Sequence, residues 1–418
     1  MNYKHKNRTL WLATILHCFT HLYMVALIPL YVLIKNDFKL SSIGQVTLLV
    51  TLQMMGYFLP GIYIGKLADK FSRTTLLSIG LFINSAAFIL LGLSPSYGLA
   101  ICSVILAGFG GSFYHPAAIS LISKLYPNST GAALGICGIG SGVGFFIGPL
   151  YSGWRAATAG NWRMPMIELG IAGLIMCIVF VLLAEKDKPQ ANLNVKTLNP
   201  PIQIFNSYKI WIMFIVACIL FSLRDFTSGG MTSLTSLYLQ NAHSWSSKQT
   251  GIALSMISLA SAISSPLFGY LSDKNRYSWT VMVLIIASIL IFIFPYLRAS
   301  NYILVLVIYG FFFMASFALI EAALMQSFDD SIRGRIYGVF LTICCFIGNM
   351  AHWVVGKWVE TLGNSATSPI AYQRFYLILS VFVLISLLGL PLLESIRRRR
   401  LSETESFELT INEKSLSN

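Results

Sequence analysis

The chain has 418 residues, 56% of them apolar and only 11% charged, with mean hydropathy +0.71 and a formal charge of +13. Soluble domains carry roughly 25% charged residues, so a water-soluble globule is excluded, and with it a soluble nucleic-acid-binding fold with one basic face. The basic residues sit in short gaps between apolar runs, where they report topology in a bilayer.

Taken in order, the first run, 10–33, follows a basic start in "MNYKHKNRTLWLATILHCFTHLYMVALIPLYVL". That start is like a signal peptide's, but the apolar stretch runs for about 24 residues with no small-residue cleavage site, so it reads as an uncleaved span. His17 and His21 are four apart on one helical face. They are either metal ligands or satisfied histidines in a wall or against a solute. No acidic partner lies near them in sequence, so no metal is assigned to them.

Span 2, 43–65, runs into "GKLADKFSR" at 65–73, which holds Lys66, Asp69, Lys70 and Arg73. Gly65 permits close helix approach. Asp69, at a helix end, can pair with a neighbouring helix dipole or an arginine and so latch one arrangement. Lys70 and Arg73 read equally well as positive-inside anchors. Spans 3 and 4 cover 75–94 and 97–124. In span 4, "AGFGGSFYHPAAISL" sets His115 before Pro116, where it either bonds a carbonyl freed by the proline or serves the function.

Span 5, 130–152, begins the run "GICGIGSGVGFFIGPLYSG". Each helical glycine costs about 1 kcal/mol, so close packing must compensate. Gly140, Gly144 and Gly148 recur every four residues and offer a smooth face to another helix, while Pro149 is expected to bend the span. Span 6, 164–184, carries only Glu168 near its outer end. The polar stretch 185–209, with three prolines, reads as a linker.

A second set of six runs follows: 210–239, 248–271, 278–297, 301–327, 335–359 and 371–394. Span 7 holds Arg224 and Asp225. Arg224 suits an anionic group or a partner carboxylate. Asp225 is either that partner for another helix or a proton site. Adjacent helical residues point about 100° apart, so the two need not pair. After span 8, "GYLSDKNRY" at 269–277 repeats the earlier charged turn, its glycine 204 positions after the first, with Asp273 in place of Asp69. Glu321 lies in span 10 and His352 in span 11. The chain therefore divides into an N-terminal bundle, 1–184, the linker, a C-terminal bundle, 210–394, and a polar tail, 395–418. All seven cysteines lie inside apolar runs without zinc-type spacing and read as small buried hydrophobes.

With the N-terminus cytoplasmic, cytoplasmic segments hold 20 Lys and Arg and outer segments about eight, so both termini are expected inside. The loops 34–42, 153–163 and 361–370 then lie outside. An ionisable group at a span's centre costs at least about 2.5–3.5 kcal/mol and normally faces a cavity. Of the seven such residues, His17, His21, His115, Arg224, Asp225 and Glu321 lie in spans 1, 4, 7 and 10, and only His352 does not.

This arrangement resembles the major facilitator superfamily. Its signature G-x-L-x-D-[RK]-x-G-[RK] is matched by Gly65, Leu67, Asp69, Lys70 and Arg73, with Ser72 in place of one glycine. The resemblance implies an all-α membrane fold of twelve helices in two six-helix bundles, with spans 1, 4, 7 and 10 lining a central cavity. Span 5 also resembles the antiporter motif G-x8-G-x3-G-P-x2-G-G of drug/proton exchangers at Gly135, Gly144, Gly148, Pro149 and Gly153, with Ser152 replacing a glycine. Tyr114-His115-Pro116 resembles the Phe-His-Pro step of fosmidomycin-resistance exporters.

The implied function is proton-coupled export of a small polar or amphipathic organic solute across a bacterial inner membrane. Proton-coupled uptake on the same fold is the alternative. A polytopic membrane enzyme is the distant one, and it would need a catalytic set such as H-E-x-x-H that the sequence does not contain. The expected proton carriers are Glu321 and Asp225, and the expected solute contacts are His17, His21, His115 and Arg224. The expected partners are the solute, protons and the lipid bilayer, without nucleic acid or a cofactor, in a monomer. The aromatics Tyr23, Tyr57, Phe226 and Tyr309 are expected to favour an amphipathic solute.

Overall fold

The computed structural model describes residues 3–187, 208–272, 275–328 and 330–399. Among these residues there is no strand. Eleven helices are long and apolar enough to cross a bilayer, and a bent pair makes a twelfth. The first six spans are His5–Asp37, Ile43–Phe58 with Tyr63–Lys70, Arg73–Leu93, Tyr97–Leu125, Thr130–Ala159 and Arg163–Leu183. The second six are Tyr208–His243, Ser247–Leu271, Arg276–Tyr296, Ala299–Gln326, Arg335–Glu360 and Pro369–Arg399. Ile171, Ile175, Ile178 and Leu182 of span 6 remain exposed, as expected of a surface bathed by lipid.

Three spans are less regular than their apolar runs suggest. Span 1 passes through a short 3-10 turn, Ile28–Leu30, around Pro29. Span 2 bends by 41° where Leu59 and Pro60 interrupt it. Proline has no N–H to donate and its ring crowds the preceding turn. Span 4 is two helices, Tyr97–Ser112 and Tyr114–Leu125, meeting at Phe113. Pro116 falls in the first turn of the second, where its missing N–H is not needed.

The halves repeat one another in detail. Ser42 and Ser246, 204 positions apart, each start their half's second span with a capping box, reciprocated by Gln45 and Gln249. In the first half span 4 sits on span 2 at Gly108, where a Cβ would lie 2.0 Å from the Gln53 carbonyl. In the second half span 10 sits on span 8 at Gly310, with a Cβ 2.2 Å from the Ile257 carbonyl. Neither site can accept a side chain without moving a helix.

The two halves meet at the end that carries 38–42 and 361–372. Tyr31 and Ser233 hydroxyls lie 2.9 Å apart, and Ser236 Oγ donates to the Ile28 carbonyl at 2.7 Å. Thr51 Oγ1 donates to Asn349 O at 3.0 Å and accepts from Trp353 N at 3.1 Å. Ser42 Oγ donates to Glu360, and Ser247 Oγ donates to Gly153 O at 3.2 Å. Among the described residues the hydrogen bonds between the halves all lie toward this end; toward the terminal end Gly135 and Gly138 of span 5 and Gly338 of span 11 have open space where a Cβ would stand.

Candidate functional site

In the second half, the charged residues of span 7 fold onto each other. Arg224 is buried, and its Nη2 and Nε donate to Asp225 Oδ1 at 2.7 and 3.2 Å. Nη1 donates to the Ser316 carbonyl of span 10 at 3.2 Å, and the guanidinium lies 4.1 Å from the Phe317 ring centre. The pairing that the sequence leaves open between Arg224 and Asp225 is thus formed. Their Cβ directions do differ by about 100°, but the long arginine side chain spans that angle, and no other carboxylate pairs with it among the described residues. Span 11 comes close enough that a Cβ on Gly348 would lie 2.8 Å from Asp225 Cβ.

Glu321 stands one helical turn beyond Phe317 and differs in kind. It accepts a hydrogen bond from Tyr337 of span 11 at 3.2 Å and makes no ion pair among the described residues. Asp225 is therefore neutralised by contact, whereas Glu321 is held by a neutral hydroxyl. Tyr337 was not singled out from the sequence, although its place on span 11 opposite a buried carboxylate is what gives it a role.

In the first half, His17, His21 and His115 converge. His17 Nδ1 lies 2.7 Å from the Cys137 carbonyl of span 5. A carbonyl only accepts, so the proton is on Nδ1. The Nε2 atoms of His17 and His21 are 3.0 Å apart. His17 stacks on Tyr114 with ring centres 4.5 Å apart, and Tyr114 donates to the Ala13 carbonyl at 2.9 Å. His115 sets its ring edge-on to His17 and against His21, at 5.1 and 5.6 Å between centres. It makes no hydrogen bond to a carbonyl among the described residues, so the proline-freed-carbonyl expectation is not met. The break in span 4 instead turns it toward span 1.

Gln53 and Asn84 are polar groups that the sequence reading leaves out, whereas Tyr57 is among its aromatics. Gln53 Oε1, Tyr57 Oη and Asn84 Oδ1 are buried without a hydrogen-bond partner near this cluster. A lone amide in an apolar run was the available signal for Gln53 and Asn84. Tyr23, expected to favour an amphipathic solute, is fully buried and bonds Ser85 and the Leu169 carbonyl, so it braces the bundle. His352 bonds Ser233 at 2.7 Å and completes a chain to Tyr31 where the halves meet.

The charged turn after span 2 divides its residues between two environments. Asp69 and Lys70 are exposed, and Asp69 makes no ion pair among the described residues. Arg73 is buried and binds Asp187 with Nη1 at 3.3 Å, and Lys124 binds the other oxygen of the same carboxylate at 2.6 Å. Gly65 has open space around it. Asp273 lies outside the described residues.

Span 5 uses its glycine ladder chiefly within its own half. A Cβ on Gly140, Gly144 or Gly148 would lie 2.0, 2.3 or 2.8 Å from the carbonyls of Thr14, Cys18 and Leu22. Span 1, with its histidines, is therefore seated directly on span 5. Beyond the ladder span 5 turns to the other half, where a Cβ on Gly251 of span 8 would lie 2.3 Å from the Pro149 carbonyl.

The family model described as Major Facilitator Superfamily matches residues 10–352. The quinolone resistance protein NorA of Staphylococcus aureus is 22% identical over 337 residues, covering 78% of this chain and 83% of its own length. The MFS-type transporter SLC18B1 of Rattus norvegicus is 26% identical over 361 residues, covering 78% and 73%. Among solved structures, a bacterial homologue of the human lysosomal transporter Spinster, inward-facing and occupied, superposes with a TM-score of 0.77 at 18% identity, over 95% of this chain and 98% of that one. The nucleoside transporter NupG gives 0.73 at 15% identity, over 92% and 99%.

Proposed function

This chain belongs to the Major Facilitator Superfamily, and from that premise we propose that it exports a small polar or amphipathic organic solute in exchange for protons. The observation that carries the reading is the contrast between the ends of the molecule. The halves are hydrogen-bonded to each other toward one end and, among the described residues, not toward the other, which we read as parted, with buried ionisable groups between. Such a molecule exposes its centre to one side at a time, which is what alternating access requires. The loop charges support both termini in the cytoplasm, and the membrane proposed is a bacterial inner membrane. On that orientation the parted end is cytoplasmic.

Export is supported over uptake by the span 5 pattern and by likeness to a protein named for quinolone resistance. In this reading Glu321 is the first proton carrier and Asp225 the second. A carboxylate without an ion pair can gain and lose a proton at smaller cost than one bonded to an arginine. Solute binding would open the route by which the proton leaves. The solute contacts are Arg224 and the three histidines.

Everted vesicles with an imposed pH gradient, loaded with a quinolone antibiotic as first probe and a cell metabolite extract as second, test the proposal. The expected result is uphill accumulation of one or more unaltered compounds, collapsed by an ionophore that removes the gradient. Accumulation only in right-side-out vesicles would establish uptake instead. A chemical change in the solute would establish an enzyme. Orientation is read separately: a cysteine placed at Asn364 should react with an impermeant reagent in intact cells, and one at Asn128 should not.

A further inference from the structure

We propose that His17, His21 and His115 form a binding site for a divalent first-row transition-metal ion, such as zinc, cobalt or nickel. One ligand nitrogen from each lies within 4.8 Å of the others, although the residues come from spans 1 and 4. The pair on span 1 is already near the required spacing. Metal–nitrogen bonds of about 2.0–2.1 Å at tetrahedral angles put ligand atoms about 3.3 Å apart, and the His17 and His21 Nε2 atoms are 3.0 Å apart. His115 must rotate inward, and it breaks no hydrogen bond among the described residues in doing so.

One further feature fits a ligand set better than ordinary packing. His17 gives its Nδ1 proton to the Cys137 carbonyl, which orients the ring and leaves Nε2 as a lone pair. Metal-ligating histidines are commonly fixed by such an outer hydrogen bond. The neutral pair then shares one proton, donated by His21 Nε2, which leaves His21 Nδ1 buried with no partner at all. A metal ion taking both Nε2 atoms displaces that proton, which His21 then carries on Nδ1.

The donor set defines the ion. Three imidazoles without a carboxylate suit zinc, copper, nickel or cobalt and not magnesium or calcium, which take oxygen ligands. No other His, Cys, Asp or Glu joins the group among the described residues. A fourth position is then open to an oxygen donor, from water or from a solute. The ion's charge is uncompensated by these ligands, so an anionic chelating group would complete the site. That last step rests on the transport reading, whereas ion binding does not.

The test uses the full-length, untagged protein in lipid nanodiscs. Titration with cobalt(II) should give one equivalent of bound ion by its visible absorption, displaced by zinc. His21→Gln and His115→Gln should each weaken binding by about 100-fold or more, beyond the 10–100-fold typical of losing an outer-shell partner. His243→Gln, outside the cluster, should leave binding unchanged. X-ray absorption of the zinc-loaded wild type needs no variant to fold, and it should show three imidazole nitrogens at about 2.0–2.1 Å without sulfur at about 2.3 Å. Absence of saturable binding, sulfur ligation, or stoichiometric binding that survives in the His17→Gln, His21→Gln, His115→Gln triple variant would each overturn the site. Because these readouts need no transport, their failure leaves the export proposal standing, and failure of transport leaves the metal site standing.

Discussion

In the first half, span 5 seats span 1 by bringing Gly148 against Leu22; in the second, span 11 seats span 7 by bringing Gly348 against Asp225. The backbone device is the same, but what it positions differs. The first half gathers three imidazoles and the buried polar groups of Gln53, Tyr57 and Asn84 around an uncharged centre. The second gathers an arginine and two carboxylates. Two similarly built halves thus carry different side chains beside equivalent glycine contacts. The comparison argues for a division of labour, in which the second half manages charge and the first supplies neutral, ligand-like contacts.

The division is tested most severely at Glu321. Replacement by glutamine keeps the hydrogen bond from Tyr337 possible, so the protein should fold and still bind solute. Transport driven by a pH gradient should be abolished, while solute-for-solute exchange persists. Proton movement into sealed vesicles on solute addition is the measurement. A signal that survives in both Glu321→Gln and Asp225→Asn would move the carrier to the histidines and dissolve the comparison.

Gly148 tests the shared device. A side chain there meets Val25 Cγ2 at 2.7 Å and the Leu22 carbonyl at 2.8 Å before its outer atoms are placed. Gly148→Leu should abolish exchange by prising span 1, with His17 and His21, off span 5. Membrane insertion, read by surface labelling, should persist. Coupled exchange at the wild-type rate would show that the ladder is not what sets the site.

Arg224 carries a smaller, energetic prediction. Removing one partner of a buried ion pair costs about 3–5 kcal/mol, because the other charge is left uncompensated. Arg224→Ala should therefore lower the thermal midpoint of the detergent-solubilised protein well below that of Arg224→Ala/Asp225→Asn, in which no charge is stranded. Equal midpoints would mean that Asp225 is reached by water.

How much of this was legible in advance depends on whether a feature is local. The twelve spans follow from run length, and the half-repeat from one motif at two positions. Intramembrane ionisable residues were found because each is costly wherever it lies. Pairings were not legible. Arg224 bends along its own helix to Asp225, a pairing that Cβ directions about 100° apart left open. His115 joins His17 where span 4 breaks at Phe113, whereas 97–124 reads in the sequence as one unbroken span. Arg73 was read with Asp69 as one motif, yet it binds Asp187 across the bundle. Such contacts depend on which helix lies alongside, which no single run encodes.

The smallest effect is expected at Asp69. It is exposed and makes no ion pair among the described residues, at the end where the halves part. A residue that latches the opposite arrangement should be free here, since its partner is brought near only when this end closes. Its neighbour Arg73 is already committed to Asp187, which Lys124 also holds, so the turn has a fixed base from which Asp69 can reach. Neutralising Asp69 removes an interaction worth about 0.3–1 kcal/mol at an exposed helix terminus and up to about 2 kcal/mol when partly buried. Asp69→Asn should therefore slow turnover by several-fold to tens-fold, with solute affinity and thermal midpoint near wild type. Arg73→Gln, by contrast, should lower the midpoint, because it leaves a buried carboxylate with one cation in place of two. A cysteine pair that cross-links only when the terminal end closes should report a smaller closed population in Asp69→Asn. If turnover and cross-linking both match wild type, the aspartate does no more than accompany the basic anchors, and the latch must be sought on the second half.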